Sequence, residues 1–273
     1  MRRVILDLLR CPRCRKGAVS PDADTAEVLF GPIHCVACHA SFPVAEGIAD
    51  LLVDRAAATG VQKGLEQSLV ARSYERYVRP AVQLAVSGHC VDFGSELALY
   101  RSMLGKPDGP VLDLGCGTSL FGRKLAASPD MPPVVGLDVS KPMLEESMAQ
   151  AREAGVMLDL VRAEAPFLPF LDHSLGAVLQ TGSLHLIEDA DRLFMEVGRA
   201  LRPGGRYVAS TYLPPALWGA ALHRRAGLYP RGEEELRGGL TAAGLVCFER
   251  MLMPPFILVR AEKAETSRAA RGY

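Results

Sequence analysis

The sequence lacks a net charge. Its 31 lysines and arginines cancel its 31 aspartates and glutamates, so nothing in the overall balance demands a polyanionic partner, although a local patch stays open. It also lacks any apolar run of the ~18 residues that a membrane-spanning helix needs, and it has no internal repeat. The N-terminus, Met1-Arg2-Arg3-Val4-Ile5-Leu6-Asp7, puts an acid early in its apolar stretch. That is not the form of a secretory signal, and the expectation is a cytosolic protein without a membrane partner. Two phosphate-binding loops are missing as well. There is no G-x-x-x-x-G-K-[ST], and the third glycine of G-x-G-x-x-G would fall on Leu120, the next glycine being Gly122. Both absences weigh against a pyrophosphate-bound cofactor.

What is present centres on Val111 to Leu125, VLDLGCGTSLFGRKL. The apolar run Val111-Leu112-Asp113-Leu114 reads as a buried parallel strand. It leads into Gly115-Cys116-Gly117, after which Leu120, Phe121, Lys124 and Leu125 begin a helical period. Strand, glycine turn and helix bring backbone N–H groups and a helix N-terminus up to a ligand, and the glycines permit a close approach that a Cβ would block. The next strand, Pro133 to Leu137, ends in Asp138. A carboxylate there can accept hydrogen bonds from ribose hydroxyls. Asp113 would repel a pyrophosphate but suits an ammonium group.

Asp113-Leu114-Gly115-Cys116-Gly117-Thr118 resembles the first motif of class I S-adenosylmethionine (SAM) methyltransferases. Gly136-Leu137-Asp138-Val139-Ser140 with Pro142-Met143-Leu144, then Ala163 to Phe170, Leu184-His185 with Asp189, and Leu201-Arg202-Pro203-Gly204-Gly205 match the family's further segments in order. The resemblance covers about residues 70–260. It implies a SAM site built from Asp113 toward the ammonium, Gly115, Cys116 and Gly117 along the loop, Asp138 on the ribose, Val139 against the adenine, Glu164 and Ala165 at the adenine amino group, and Gln180 near the sulfonium. Glu164 stands where the family usually has aspartate. Gly176 and Leu186 replace the usual acid and second histidine. His185, just after the fourth strand of this domain, is the candidate general base. No N-P-P-Y-type tetrapeptide marks an amino-nitrogen methylase; the corresponding place reads Gln180-Thr181-Gly182-Ser183.

Seven cysteines are present. Cys11-x2-Cys14 and Cys35-x2-Cys38, about 20 residues apart, read as a tetrahedral structural zinc site in a cytosolic protein. His34 and His39 flank the second pair, but the spacing favours the four thiolates. Cys90, Cys116 and Cys247 read as small buried apolar residues. Residues 4–52 resemble the Trm112-like zinc ribbon, with L-x-C-P-x-C, a second C-x-x-C and a Phe42-Pro43-Val44…Gly47-Ile48…Leu51-Leu52 tail. In that family the ribbon is a structural addition or a partner-binding module.

The expected fold is α/β: a Rossmann-like, seven-stranded, mostly parallel sheet with helices on both faces, plus a small N-terminal zinc ribbon. Strands are predicted near 111–114, 134–138, 157–161, 175–180, 205–211, 245–250 and 255–260, the last two as an antiparallel hairpin by resemblance. Helices are predicted over 141–154, 189–201 and 232–243. The expected division is a ribbon over 1–53, a linker and helical segment over 54–105 interrupted near Pro80, the methyltransferase domain over 106–262 and a frayed tail over 263–273. Tyr74 and Tyr77 in the helical segment, and Tyr212, Trp218 and His223 around the apolar stretch Leu213 to Pro230, are the candidate acceptor pocket. The neutral charge and the apolar insert favour a small molecule as the expected acceptor. The alternatives are ribosomal or transfer RNA, met through a ribbon whose first third holds Arg2, Arg3, Arg10, Arg13, Arg15 and Lys16, and a non-catalytic SAM-binding scaffold. A protein partner at the ribbon stays open.

Overall fold

A computed structural model describes residues 1–22, 25–53, 58–88, 92–214 and 219–265. Short helix α1 (Arg3–Leu6) precedes strands β1 (Val19–Pro21), β2 (Gly31–Cys35), β3 (Ser41–Ala45) and β4 (Ile48–Asp50). A helical segment follows: α2 (Gly60–Leu65), α3 (Ser68–Ser73), α4 (Arg79–Ser87) and α5 (Phe93–Leu104). Strand and helix then alternate through β5 (Val111–Leu114), α6 (Leu120–Ala126), β6 (Val134–Asp138), α7 (Lys141–Glu153), β7 (Asp159–Arg162), β8 (Leu175–Thr181), α8 (Ala190–Ala200) and β9 (Leu201–Tyr212). The chain continues with α9 (Gly219–Ala226), α10 (Glu233–Ala242), β10 (Leu245–Met253) and β11 (Phe256–Lys263).

The seven strands from β5 onward lie in the order β7-β6-β5-β8-β9-β11-β10. Strands β5 to β9 run parallel, and β11 pairs antiparallel with both β9 and β10. The parallel strands read as continuous apolar runs because helices cover both faces. Leu112, Val135 and Val178 enter one core with Phe194 and Val197 of α8. Val111, Val134 and Ala177 enter the other with Phe121 of α6 and Leu144 of α7.

The sheet has eleven strands, not seven. The N-terminal segment expected to form the ribbon is hydrogen-bonded into this sheet: β4 pairs parallel with β7, matching Ile48 to Leu160, Ala49 to Val161 and Asp50 to Arg162. Leu51 N–H extends the ladder to the Arg162 carbonyl at 2.9 Å. Without β4, β7 would be an open edge of unpaired N–H and C=O groups. The ribbon's apolar side chains, among them Ile5, Leu9, Ile33 and Phe42, join the same core as Phe170 and Leu112. A segment too short to bury its own core therefore borrows its neighbour's.

The helical segment is interrupted next to Pro80, as expected: one wide π turn over Tyr74–Val78 leads into α4, whose first turn holds the proline. It also breaks between α2 and α3. A wide turn suits a residue that cannot donate to the preceding helical ladder. Cys247 is exposed rather than buried. It lies on the outer strand β10 with φ of 55°, at the irregularity between Val246 and Glu249. Cys90 and residues 266–273 of the expected tail lie outside the described residues.

Candidate cofactor site

The site forms where β5 and β6 end. Gly115 and Gly117 both have positive φ, 64° and 55°, so the chain turns sharply off β5. At Gly115 the space is also closed, since a Cβ there would come within 2.3 Å of Ser183 Oγ. Cys116 lies between the two glycines, half-buried, and burial pushes its thiol well above its ordinary range. Asp113 is 2% exposed, and its Oδ2 accepts the Gly122 N–H in the first turn of α6 at 3.0 Å. Burial pushes its carboxyl up to about 7. The Asp138 charge adds to the rise, while the Gly122 N–H and the Arg123 charge oppose it.

Asp138, at the tip of β6, faces this turn. Its Oδ2 accepts the Gly117 N–H at 2.8 Å and its Oδ1 accepts the Ser140 N–H at 2.8 Å. Burial raises this carboxyl too, against those N–H bonds. The next helix, α7, is capped by Ser140, whose Oγ accepts the Met143 N–H at 3.4 Å. Asp138 is thus left to the turn rather than to the helix. Val139 follows it, half-buried, and its carbonyl accepts Arg162 Nε at 3.1 Å. Glu164 and Ala165, also half-buried, open a short 3-10 turn just beyond β7.

Gln180 is fully buried near the end of β8. Its Oε1 accepts the Tyr207 hydroxyl at 2.6 Å and its Nε2 donates to Ser183 Oγ at 3.2 Å. Ser183 Oγ in turn donates to the Leu114 carbonyl at 3.2 Å. Gln180 therefore acts on the turn after β5 through Ser183, a residue that no local sequence signal marked. A second unmarked group is Glu75. It accepts from Thr118 Oγ1 at 2.5 Å and from Arg123, fastening the helical segment to the glycine turn. Tyr74 is its neighbour, and burial raises its hydroxyl against the Arg79 charge, with Asp138 and Glu75 adding to the rise. Tyr77 turns outward, 61% exposed, with the Arg76 guanidinium 5.3 Å from its ring centre.

Beyond β8 and β9, three candidates come together. The rings of His185 and Tyr212 lie 4.4 Å apart, and Tyr212 and His223 6.1 Å apart. His185 Nδ1 is 3.5 Å from Thr211 Oγ1, and burial lowers its pKa to about 4. The Tyr212 hydroxyl is buried with no hydrogen-bond partner among the described residues. Trp218 lies outside the described residues.

In the N-terminal segment, the sulfurs of Cys11, Cys14, Cys35 and Cys38 all lie within 4.8 Å of one another. Cys11 and Cys38 are 3.8 Å apart and Cys14 and Cys35 3.6 Å apart. A tetrahedral site with bonds of ~2.3 Å separates its sulfurs by about 3.8 Å, so the four residues fit a zinc ion. Cys35 Sγ also accepts the N–H groups of Ala37 and Cys38 at 3.3 and 3.4 Å, the kind of outer bond that holds a ligating sulfur in place. His34 instead approaches Asp22 at 3.4 Å.

Residues 111–205 match the family model described as a methyltransferase domain. The chain is 31% identical over 191 residues to an uncharacterised chloroplastic methyltransferase of Arabidopsis thaliana, covering 63% of this chain and 52% of that one. It is 40% identical over 108 residues to the ubiquinone/menaquinone biosynthesis C-methyltransferase of Desulfotalea psychrophila, covering 40% of this chain and 43% of that one. The chain thus spans about half the length of these relatives. Among solved structures, phosphoethanolamine N-methyltransferase 2 of Haemonchus contortus in complex with SAM aligns with a TM-score of 0.58 at 18% identity, over 66% of this chain and 54% of that one. At that identity the likeness concerns the fold.

Proposed function

We propose, from the match of residues 111–205 to a methyltransferase-domain model, that the protein is a class I SAM-dependent methyltransferase and transfers a methyl group from SAM to a small-molecule acceptor. The observation that carries this reading is the convergence of the Asp138 carboxylate and the Gly115–Gly117 turn, joined by the 2.8 Å bond from Gly117 N–H. Bound SAM would supply a methyl group already activated on a sulfonium. The protein's task is then mainly positioning, which can supply ~7–11 kcal/mol of a barrier.

Asp138 holds the ribose hydroxyls, exchanging one backbone bond for them. Val139, Glu164 and Ala165 line the adenine, and Asp113 faces the methionine ammonium, directly or through water. Gly115, Cys116 and Gly117 wrap the methionine end, with Gln180 holding the turn from behind. His185, Tyr212 and His223 form the acceptor side. There the Tyr212 hydroxyl, without a hydrogen-bond partner among the described residues, offers a hydrogen bond, and a neutral His185 can accept a proton from an acidic acceptor. Zinc held by Cys11, Cys14, Cys35 and Cys38 is structural, because four thiolates leave no open position.

The ribbon's cations favour a small molecule over RNA. Arg2 pairs with the buried Asp159 at 2.7 Å, Arg3 with Asp7 at 2.6 Å and Arg10 with Glu196 at 3.4 Å, while Arg15 lies over the Phe167 ring at 4.7 Å. Cations engaged within the chain are not free to replace phosphate counterions. Transfer of a labelled methyl group from SAM into extract, with RNA, protein and small molecules then separated, tests the reading. Label in the small-molecule fraction is expected. Label in RNA that vanishes with Arg13 and Lys16 replaced would favour RNA modification. Bound SAM with no label anywhere would overturn the transferase reading.

A further inference from the structure

The ribbon touches the domain beside the segments that would enclose adenosine. Asp50, Arg162 and Asp138 occupy one register row across three parallel strands, Asp50 paired with Arg162 and Arg162 with Asp138. The side chain of Arg162 spans the row's edge. Its Nη1 donates to Asp50 Oδ2 at 2.9 Å and its Nε to the Val139 carbonyl at 3.1 Å. The Val139 carbonyl and the Ser140 N–H belong to one planar peptide group, and that N–H donates to Asp138 Oδ1 at 2.8 Å. The same peptide is therefore held on one side by a ribbon-anchored arginine and on the other by the candidate ribose carboxylate.

Asp50 is itself fixed, since its Oδ1 accepts the Leu52 N–H at 3.2 Å. The ribbon also grips the segment that follows Glu164. Arg10 N–H donates to the Pro169 carbonyl at 3.0 Å and Leu171 N–H to the Leu8 carbonyl at 2.8 Å. Between this grip and Glu164, Phe167 is covered by Arg15 on the ribbon and Arg192 on α8.

We infer that the ribbon is a built-in positioning element for the adenosine end of the cofactor, acting from Asp50 through Arg162 and the Val139–Ser140 peptide to orient the Asp138 carboxylate. The inference rests on the SAM reading above. Arg162 and Asp50 are positioning residues: neither need touch the ligand. Arg162 suits the task because a guanidinium presents several donors in a fixed plane and can serve the ribbon and the peptide at once.

The test measures equilibrium binding of SAM and of 5′-methylthioadenosine, which lacks the methionine end, to the full chain. Asp50→Ala is expected to raise Kd for both by the same factor, about tenfold, with kcat at saturating SAM unchanged. In a double-mutant cycle with Asp138→Asn, the Asp50→Ala effect should largely disappear, because the relay has lost its end point. Unchanged affinity in a folded Asp50→Ala variant, a loss confined to SAM, or full additivity with Asp138→Asn would each overturn the relay alone. If Asp50→Ala does not fold, Asp50→Asn keeps the acceptor for Leu52 N–H and drops the charge. A Kd raised at least threefold supports the relay there, and no change overturns it. A wild-type chain that binds neither ligand overturns the cofactor reading, and the relay with it.

Discussion

Replacing Gly115 by alanine should cost the cofactor site about 100-fold in SAM affinity. Gly115 sits at φ 64°, where an L-residue loses ~1–2 kcal/mol. Its new Cβ would stand 2.3 Å from Ser183 Oγ, so Ser183 must move. Ser183 donates to the Leu114 carbonyl and accepts from Gln180 Nε2, both at 3.2 Å, and each bond contributes ~1 kcal/mol. The sum is ~3–4 kcal/mol against the closed turn, which a ligand must restore on binding, and ~3 kcal/mol corresponds to a factor of ~100–200. Titration calorimetry with SAM measures it, with circular dichroism to confirm the fold. Ser183→Gly provides the decisive comparison. In that background the clash and its two bonds are already gone, so Gly115→Ala should cost only the backbone term, about tenfold. An equal loss in both backgrounds would refute the argument, because the effect would then not pass through Ser183.

The other predictions follow from charge and metal. Asp113 titrates near 7 in the folded protein against an ordinary 3.8, so between those values the fold keeps a proton that the unfolded chain has released. Asp113's stabilising contribution is therefore complete below ~4 and is lost as pH rises to ~7. An ammonium ligand needs the ionised form, so SAM affinity should rise up to ~10-fold per unit approaching pH 7 from below. Asp113→Asn should flatten that slope in calorimetry, and a slope that persists in the variant would contradict the assignment. His185, lowered to about 4, is neutral throughout pH 5–9. His185→Ala should slow turnover about tenfold, roughly one hydrogen bond, without changing the shape of the rate profile. Unchanged turnover, or a limb near pH 6–7 that disappears with the histidine, would reject this role. Metal analysis should find one zinc per chain, and Cys14→Ser should weaken its retention. Because the ribbon shares the core, losing even ~3 kcal/mol of metal stabilisation should lower Tm of the whole protein by ~6–12 °C. Chelation that leaves the melting curve unmoved would refute it.

Much of the protein is legible in local chemistry alone. The run Val111–Leu114 with its glycine turn, the acid ending Val134–Asp138, the paired C-x-x-C knuckles and the alternation of strands with helices are written in nearest neighbours and short periods, which the backbone obeys whatever surrounds it. The tertiary structure alone decided the partners across distance. It joined β4 to β7, because an otherwise open strand edge needed its hydrogen bonds filled. It brought Ser183 beneath Gly115, Glu75 onto Thr118, and the Tyr212 ring between those of His185 and His223. It pushed Asp113 toward 7 and His185 toward 4, since burial is a property of everything packed around a group. It also set Arg162 between Asp50 and Val139, residues 112 and 23 positions away in the chain. A sequence states which groups a residue carries; only the closed fold states which of them meet, and how much water is left between them.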